Sequence, residues 1–142
     1  MKIRKATTKD AAIILKMLKS ESVMTGNDEL YYETKHIQEY IKGKSFITFV
    51  CEFDKKFAGF ISLNLFSTGK YAEIYNIMVG KEYRKKGIAF ELIKFGERYL
   101  KNKGYGITYM YVEGSNRPMQ NFSRKINYDK GKKFIFYSKI LK

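Results

Sequence analysis

A short segment between a predicted strand and a predicted helix has the residue types of a phosphate-binding loop. Residues 79–89 (VGKEYRKKGIA) end an apolar strand pattern and lead into a strongly amphipathic helical pattern. At a helix start, unpaired backbone N–H groups and the positive end of the helix dipole bind phosphate oxygens. Gly87 and the small Ala89 let the backbone approach an anion closely. Three basic side chains add positive charge, namely Arg84, Lys85 and Lys86. The segment matches neither a Walker loop nor the three-glycine dinucleotide fingerprint.

The net charge of the chain is consistent with such a ligand. The 142 residues include 28 Lys and Arg and 14 Asp and Glu, which gives a formal net charge of +14. This balance indicates a polyanionic partner, either a nucleic acid, an anionic lipid or a phosphorylated small molecule. Solvated lysines that only keep the protein soluble are the alternative, since Lys outnumbers Arg by 23 to 5. The positive charge is concentrated in residues 80–103 and 117–142, which favours a ligand with a phosphate end.

Cysteine and histidine counts exclude several classes of site. The single Cys51 cannot form an intramolecular disulfide, a Cys-based zinc site or a redox pair. The single His36 cannot form a two-His metal motif, so we expect no metal. The chain has no apolar run of membrane-spanning length and no secretory apolar region after Met1. These features predict a cytoplasmic protein without membrane contact.

The elements that position the loop can be predicted from periodicity and cap signals. Period-two patterns and runs of β-branched and aromatic residues predict strands at 3–6, 45–53, 57–66, 71–79, 107–112 and 134–141. Helical spacing predicts helices at 11–18, 31–41, 88–102 and 117–125. The strand, crossover helix and strand over 71–112 imply one right-handed parallel pair in an otherwise antiparallel sheet. We therefore expect one domain over residues 1–142, an α/β fold with a mixed sheet (α+β).

The loop and its flanks resemble a known family. Arg84-x-x-Gly87-x-Ala89 is similar to the Q/R-x-x-G-x-G/A signature of the GNAT superfamily of N-acetyltransferases, and residues 76–79 (NIMV) are similar to the end of the family's preceding strand. The element order also agrees over nearly the whole chain. The resemblance implies a GNAT-like acyl-CoA N-acyltransferase fold: an antiparallel meander followed by one splayed parallel strand pair. It also implies acetyl-CoA as co-substrate, bound between strands 71–79 and 107–112.

The resemblance assigns binding roles to individual residues. Backbone groups at the end of strand 71–79 pair with the pantetheine arm of the co-substrate like a false strand, and they belong to Ile77, Met78 and Val79. Asn116 corresponds to the family's pantetheine-contacting Asn. The backbone that holds the pyrophosphate belongs to Arg84, Lys85, Lys86, Gly87, Ile88, Ala89 and Phe90.

The resemblance also assigns catalytic roles, with one departure. Glu73 corresponds in position to the catalytic Glu of histone-type members, which predicts a general base; a solvated Glu on an alternating strand is the alternative. Ser123 stands where the family has a Tyr that protonates the CoA thiolate. Ser123 relays a proton through water, another tyrosine such as Tyr128 or Tyr137 supplies it, or the thiolate leaves unassisted. A chain that binds acyl-CoA with little catalysis is a further alternative.

The acceptor is suggested by an acidic segment. Residues 20–40 carry five acidic residues against Lys35, and the family places this segment, including Tyr31 and Tyr32, on the acceptor side. We therefore expect a cationic primary amine: a polyamine, a lysine-bearing or N-terminal peptide, or another small amine. A solvated acidic helix face is the alternative.

A nucleic acid or a second copy of the chain would be a further partner. Residues 103–106 (KGYG) match the start of an RNA-recognition motif, but Ile107, Thr108 and Met110 break that motif, so we do not expect a nucleic-acid partner. Homodimers are common in the resembled family, which leaves a homodimer open.

Overall fold

The computed structural model describes residues 1–20, 34–137, 139 and 141. These residues form five strands and four helices: β1 Lys2–Lys5, α1 Ala11–Ser20, α2 Thr34–Lys42, β2 Phe46–Phe53, β3 Lys56–Phe66, β4 Tyr71–Val79, α3 Ile88–Asn102, β5 Ile107–Tyr109 and α4 Arg117–Lys125. The predicted order is confirmed from β1 to α4. No helix in this described part of the chain is both long and apolar enough to cross a bilayer.

The strands form one mixed sheet in the order β1-β2-β3-β4-β5. Neighbouring strands from β1 to β4 are antiparallel, whereas β4 and β5 are parallel, as the strand, helix and strand succession predicts. The parallel pairing is short, running only from Tyr71 opposite Ile107 to Glu73 opposite Tyr109. The predicted mixed α+β fold is therefore confirmed.

Both faces of the sheet are covered by helices. On one face α3 packs through a buried stripe onto the strands, and the largest fully buried members of this cluster include Ile61, Leu63, Ile88, Leu92 and Ile93. On the other face α1 and α2 pack over β2, β3 and β4, with Ile14, Leu18, Ile37, Val50 and Phe60 in the core. Because a helix layer lies on each face, the sheet is a rigid platform that fixes the position of its strand ends.

Two predicted strands differ from the structure at the same edge of the sheet. The strand predicted at 107–112 ends at Tyr109, because β5 leaves the sheet where it diverges from β4. The strand predicted at 134–141 is wrong for the residues that are described there: none is paired, and the side chains of Phe134 and Tyr137 are 78% and 86% exposed. A strand needs an edge to pair with, and β5 provides only three paired residues.

An ion-pair network joins β1 to β2 and to the start of α1. The Arg4 guanidinium donates through Nε to Glu52 at 2.7 Å, and through Nη1 and Nη2 to both carboxylate oxygens of Asp10 at 2.9 and 3.0 Å. The backbone N–H of Thr7 also donates to Asp10, at 2.7 Å. Burial by itself raises the pKa of Asp10, but the hydrogen bonds from Arg4 and Thr7 outweigh it and hold the pKa below its ordinary value.

We predict that Asp10→Asn lowers the free energy of unfolding by about 2 kcal/mol at neutral pH, because it removes hydrogen bonds to a charged, buried carboxylate. The folded-state pKa of Asp10 lies below the unfolded-state value. Its contribution is therefore present above about pH 4 and lost as the pH falls through the folded-state pKa, so the difference between wild type and variant closes in acid. Urea denaturation over a pH series measures both effects.

Glu52→Gln is the matched control for this experiment. The Glu52 side chain accepts from the same Arg4 but is 26% exposed, against 9% for the side chain of Asp10. We expect a loss of at most about 1 kcal/mol for this more solvated partner. Equal losses for the two variants at neutral pH would contradict the assignment of Asp10 as the centre of the network.

Candidate active site

The parallel strands β4 and β5 separate beyond Glu73 and Tyr109, and we call this point the strand fork. Past the fork, β4 continues to Val79 while paired with β3 on its other side, as far as Gly59 opposite Val79. A bulge at Tyr75 interrupts the register with β3 just after the fork. In the described residues, no strand pairs with the edge of β4 that faces the gap after Glu73. Backbone groups on this edge can pair with an extended ligand.

The loop at the open end of β4 exposes the start of α3. Gly87 precedes the helix with φ of 78°, a left-handed conformation that glycine adopts without strain. No side chain in the described part of the chain caps the helix, and its first intrahelical bond runs from the Glu91 N–H to the Gly87 carbonyl at 3.0 Å. The N–H groups of Ile88, Ala89 and Phe90 therefore have no acceptor within the helix, an arrangement that can bind an anion.

A cavity of about 590 Å³ opens at this loop. Seven of its lining residues belong to the predicted co-substrate site: Val79, Arg84, Lys85, Gly87, Ile88, Ala89 and Phe90. Among the described residues, the lining includes three basic residues, Arg84, Lys85 and Lys125, and no acidic one. Positive charge, an uncapped helix start and a free strand edge fit a co-substrate with a pyrophosphate at one end and an amide-rich arm at the other.

Four of the predicted binding residues lie outside this lining, namely Ile77, Met78, Lys86 and Asn116. The side chain of Ile77 packs against the α3-side core, and that of Met78 is buried in the α1-side core. Because these side chains are held in the core, contact with a ligand in the gap is left to backbone groups on the free edge of β4, as the false-strand model requires. The Lys86 ammonium lies over the rings of Phe53 and Tyr83, at 5.0 and 5.7 Å from their centroids.

Sequence reasoning missed the far wall of the cavity. This wall consists of Phe122, Lys125 and Ile126 from the end of α4, and Tyr83 contributes from the loop. The α4 residues are spaced i, i+3 and i+4, so they share one helix face, and this spacing was the available signal. The spacing does not predict where this helix face lies in the fold, because that position depends on tertiary packing.

Glu73 lies at the strand fork with its side chain half-buried. It pairs in register with Asn64 on β3 and with Tyr109 on β5. Burial raises the pKa of the Glu73 carboxyl, and the hydrogen bond from the Asn64 side chain opposes this rise only in part. A carboxylate with a raised pKa is a stronger base than a solvated one.

The side chains of Asn116 and Ser123 are both engaged in α4. Asn116 caps the helix, because its Oδ1 accepts from the Met119 N–H at 3.1 Å, which leaves the NH₂ end of the amide for a ligand. Ser123 is buried and donates to the Met119 carbonyl at 2.8 Å within its own helix. Ser123 is not among the residues that line the cavity.

The two tyrosines considered as proton donors also lie away from the cavity lining. The Tyr128 hydroxyl donates to Glu97 on α3 at 3.1 Å, and burial together with the Glu97 charge raises the pKa of Tyr128 well above its ordinary value. Tyr137 is 86% exposed. The predicted acceptor residues Tyr31 and Tyr32, together with Glu21, Asp28, Glu29 and Glu33, lie outside the described residues. Glu39 is exposed on α2.

Solved structures with a similar fold include acetyltransferases. The chain matches an aminoglycoside acetyltransferase, meta-AAC0020, from an uncultured soil metagenomic sample in complex with sisomicin, with a TM-score of 0.79, 18% identity and coverage of 99% and 96% of the two chains. It matches the PaiA N-acetyltransferase of Thermoplasma acidophilum in complex with coenzyme A, with a TM-score of 0.75, 21% identity and coverage of 87% and 86%. At these identities the likeness is one of fold.

Sequence comparison identifies the family. The chain is 26% identical over 114 residues to an uncharacterized N-acetyltransferase, MJ1207, of Methanocaldococcus jannaschii, a match that covers 73% of this chain. The match covers 50% of the length of that relative, so this chain spans about half of it. The model of the Acetyltransferase (GNAT) family matches residues 12–128, which include the strand fork, the loop and most of both helix layers. The chain therefore belongs to the GNAT acetyltransferase family.

Proposed function

We propose that this chain transfers an acetyl group from acetyl-CoA to a primary amine by direct attack in a ternary complex. The observation that carries this proposal is the position of Glu73. It lies at the strand fork, while the basic cavity lies at the other end of the same unpaired stretch of β4. This stretch, from Glu73 to Val79, is about 20 Å long at the usual rise of a strand. An extended arm can therefore bridge the phosphate site and the base.

The cavity is proposed to hold the phosphate end of the co-substrate. The N–H groups of Ile88, Ala89 and Phe90 donate to pyrophosphate oxygens, and Arg84 and Lys85 neutralise their charge. The arm then follows the free edge of β4, where the backbone of Ile77, Met78 and Val79 pairs with its amides. Asn116 adds a hydrogen bond from the NH₂ end of its side chain.

The chemistry follows from the groups at the strand fork. Glu73 accepts a proton from the substrate ammonium, and the freed nitrogen lone pair attacks the thioester carbonyl carbon. A C–N bond forms, and a backbone N–H near Ile77 or Met78 stabilises the negative oxygen. The C–S bond then breaks and the electron pair leaves with sulfur, while the nitrogen gives up its second proton to water. The products are an amide and the thiolate of CoA. Since the hydroxyls of Ser123 and Tyr128 donate to Met119 and Glu97, we propose that the thiolate leaves unassisted and takes its proton from water.

The acceptor is proposed to be cationic before it reacts, as a primary amine is at neutral pH. Charge complementarity with Glu73 supports this proposal. The acidic residues of the 20–40 segment would add complementarity to polyamines or peptides, which carry further positive charges. Most of these acidic residues lie outside the described residues.

Acetyl-CoA is predicted to stabilise the folded chain through the basic loop. At about 100 times its Kd, a ligand specific for the folded state adds about 2.7 kcal/mol to the free energy of unfolding, which raises the melting temperature by several degrees.

Lys85→Ala is expected to weaken binding by about tenfold, because it removes a charged group from the phosphate site. Lys103→Ala removes the same charge from an exposed site outside the cavity lining and is the control. Equal affinities of the two variants would contradict the placement of the phosphates.

Glu73→Gln is predicted to lower turnover by about a hundredfold or more at neutral pH, because the amide cannot accept the ammonium proton. Binding of acetyl-CoA should not change, since Glu73 lies outside the phosphate cavity. Thiol release with a saturating amine measures turnover. Glu39→Gln, on the exposed face of α2, is the matched control. An unchanged rate in Glu73→Gln would exclude Glu73 as the base.

The same variant is also predicted to be more stable than the wild type at neutral pH. The raised folded-state pKa of Glu73 means that folding disfavours its charged form. The contribution of a group of this kind is most favourable below the unfolded-state pKa and is lost as the pH rises through the folded-state pKa. The higher melting temperature of Glu73→Gln should therefore disappear at about pH 4. A gain that does not depend on pH would contradict the burial of this carboxyl.

A further inference from the structure

Five aromatic rings form a continuous row across the β4–β5 end of the sheet. We call this row the aromatic ladder, and its members in order of contact are Phe66, Tyr71, Tyr109, Tyr111 and Phe134. The ring centroids of successive members lie 4.8, 6.3, 5.6 and 6.5 Å apart. Tyr71 is 39% exposed and Tyr111 is 72% exposed. Contiguous exposed rings of this kind mark an interaction site.

The ladder lies on the same face of the sheet as Glu73. Tyr71 is two residues before Glu73 on β4, and Tyr109 is its direct neighbour on β5. Side chains two residues apart on a strand, or opposite each other on paired strands, point to the same face. The charge of Glu73 acts together with burial to raise the pKa of Tyr109, which reflects this proximity.

A second group of rings lies on the other side of Glu73. Tyr40, Phe46 and Tyr75 form an aromatic triad in which the ring centroids lie 4.8 to 5.4 Å apart. Phe46 is opposite Asn64, and Asn64 is opposite Glu73, so these side chains form one cross-strand row. The carboxylate therefore stands between the aromatic triad and the aromatic ladder.

This surrounding suits one positive charge attached to an apolar body. Among the described residues of the triad, the ladder and the cross-strand row that joins them, Glu73 is the only one with an ionisable carboxyl group. An ammonium gains from the carboxylate and from the faces of the neighbouring rings. A second or third ammonium on the same molecule meets aromatic surface and a chain of net charge +14, and gains little. Apolar or aromatic carbon gains from burial against the ladder.

We propose that the acceptor is a primary monoamine with an aromatic or apolar body, bound with its nitrogen at Glu73 and its body on the aromatic ladder. This proposal rests on the proposed acetyl transfer, because it names the second substrate of the same site. It favours an amine such as phenethylamine over a polycation such as putrescine or an aminoglycoside.

The first test compares phenethylamine with putrescine as acceptors for the full chain, with acetyl-CoA saturating and CoA release as the signal. We expect kcat/KM to be at least about tenfold higher for phenethylamine, which is the effect of burying one ring.

Tyr71→Leu and Tyr111→Ala should each reduce this preference severalfold by lowering kcat/KM for phenethylamine, and leave the value for putrescine within about twofold. Ile13→Ala is the control, because Ile13 is as exposed as Tyr71, at 39%, but lies on α1. Equal kcat/KM values for the two amines, or a preference unchanged in both ladder variants, would overturn the proposal.

A binding measurement separates failure of this proposal from failure of the proposed function. Saturation-transfer NMR with coenzyme A present measures the Kd of each amine without any turnover. If no amine is acetylated, the proposed acetyl transfer fails, while tighter binding of phenethylamine that weakens in Tyr111→Ala still supports the ladder as its site. If amines are acetylated but phenethylamine binds no more tightly than putrescine, the ladder proposal alone fails. Circular dichroism of each variant confirms that the fold is retained.

Discussion

The strand fork is the constraint on which the rest of this structure depends. Parallel pairing of β4 and β5 ends after three residue pairs, and from there β4 has a partner on one side only. An unpaired strand edge inside a domain costs free energy unless a ligand or water satisfies it. Helices that pack on both faces of the sheet stabilise the strands on either side of this edge. The same edge that costs stability is the feature that can hold an extended co-substrate.

The helix after β4, α3, begins at the basic loop that follows the free edge of β4. Ile88, Leu92 and Ile93 are almost completely buried against the sheet, so α3 cannot shift without opening the core. Its N-terminus is therefore fixed at the open end of β4, with Gly87 turning the chain into the helix. The backbone N–H groups at this point are already oriented by the helix. Little conformational entropy is lost when an anion binds to such a preformed site.

At the opposite end of the gap, two polar side chains occupy positions that are energetically unfavourable in the free protein. Glu73 is half-buried beside aromatic rings, which raises the free energy of its charged form. In the next cross-strand row, Asn76 is buried and its Nδ2 has no hydrogen-bond partner among the described residues, although the neighbouring Ser62 is bonded to Thr48 at 2.8 Å. Two unfavourable polar placements beside the strand fork are consistent with a region selected for binding and chemistry at some cost in stability.

The sequence by itself determined the features that depend on local periodicity and composition. The order of elements from β1 to α4, the parallel crossover and the position of the basic loop could all be predicted, because apolar spacing and glycine placement act within a few residues. Prediction from the sequence failed where pairing between distant segments decides whether a strand forms. The residues described in 134–141 remain unpaired despite strong strand propensity, since β5 is too short to pair with them. Only the tertiary structure decided that α4 lines the basic cavity, that Ser123 bonds to its own helix and that Glu73 stands between two groups of rings. Each of these depends on the register and packing of elements far apart in the chain, which residue types alone do not specify.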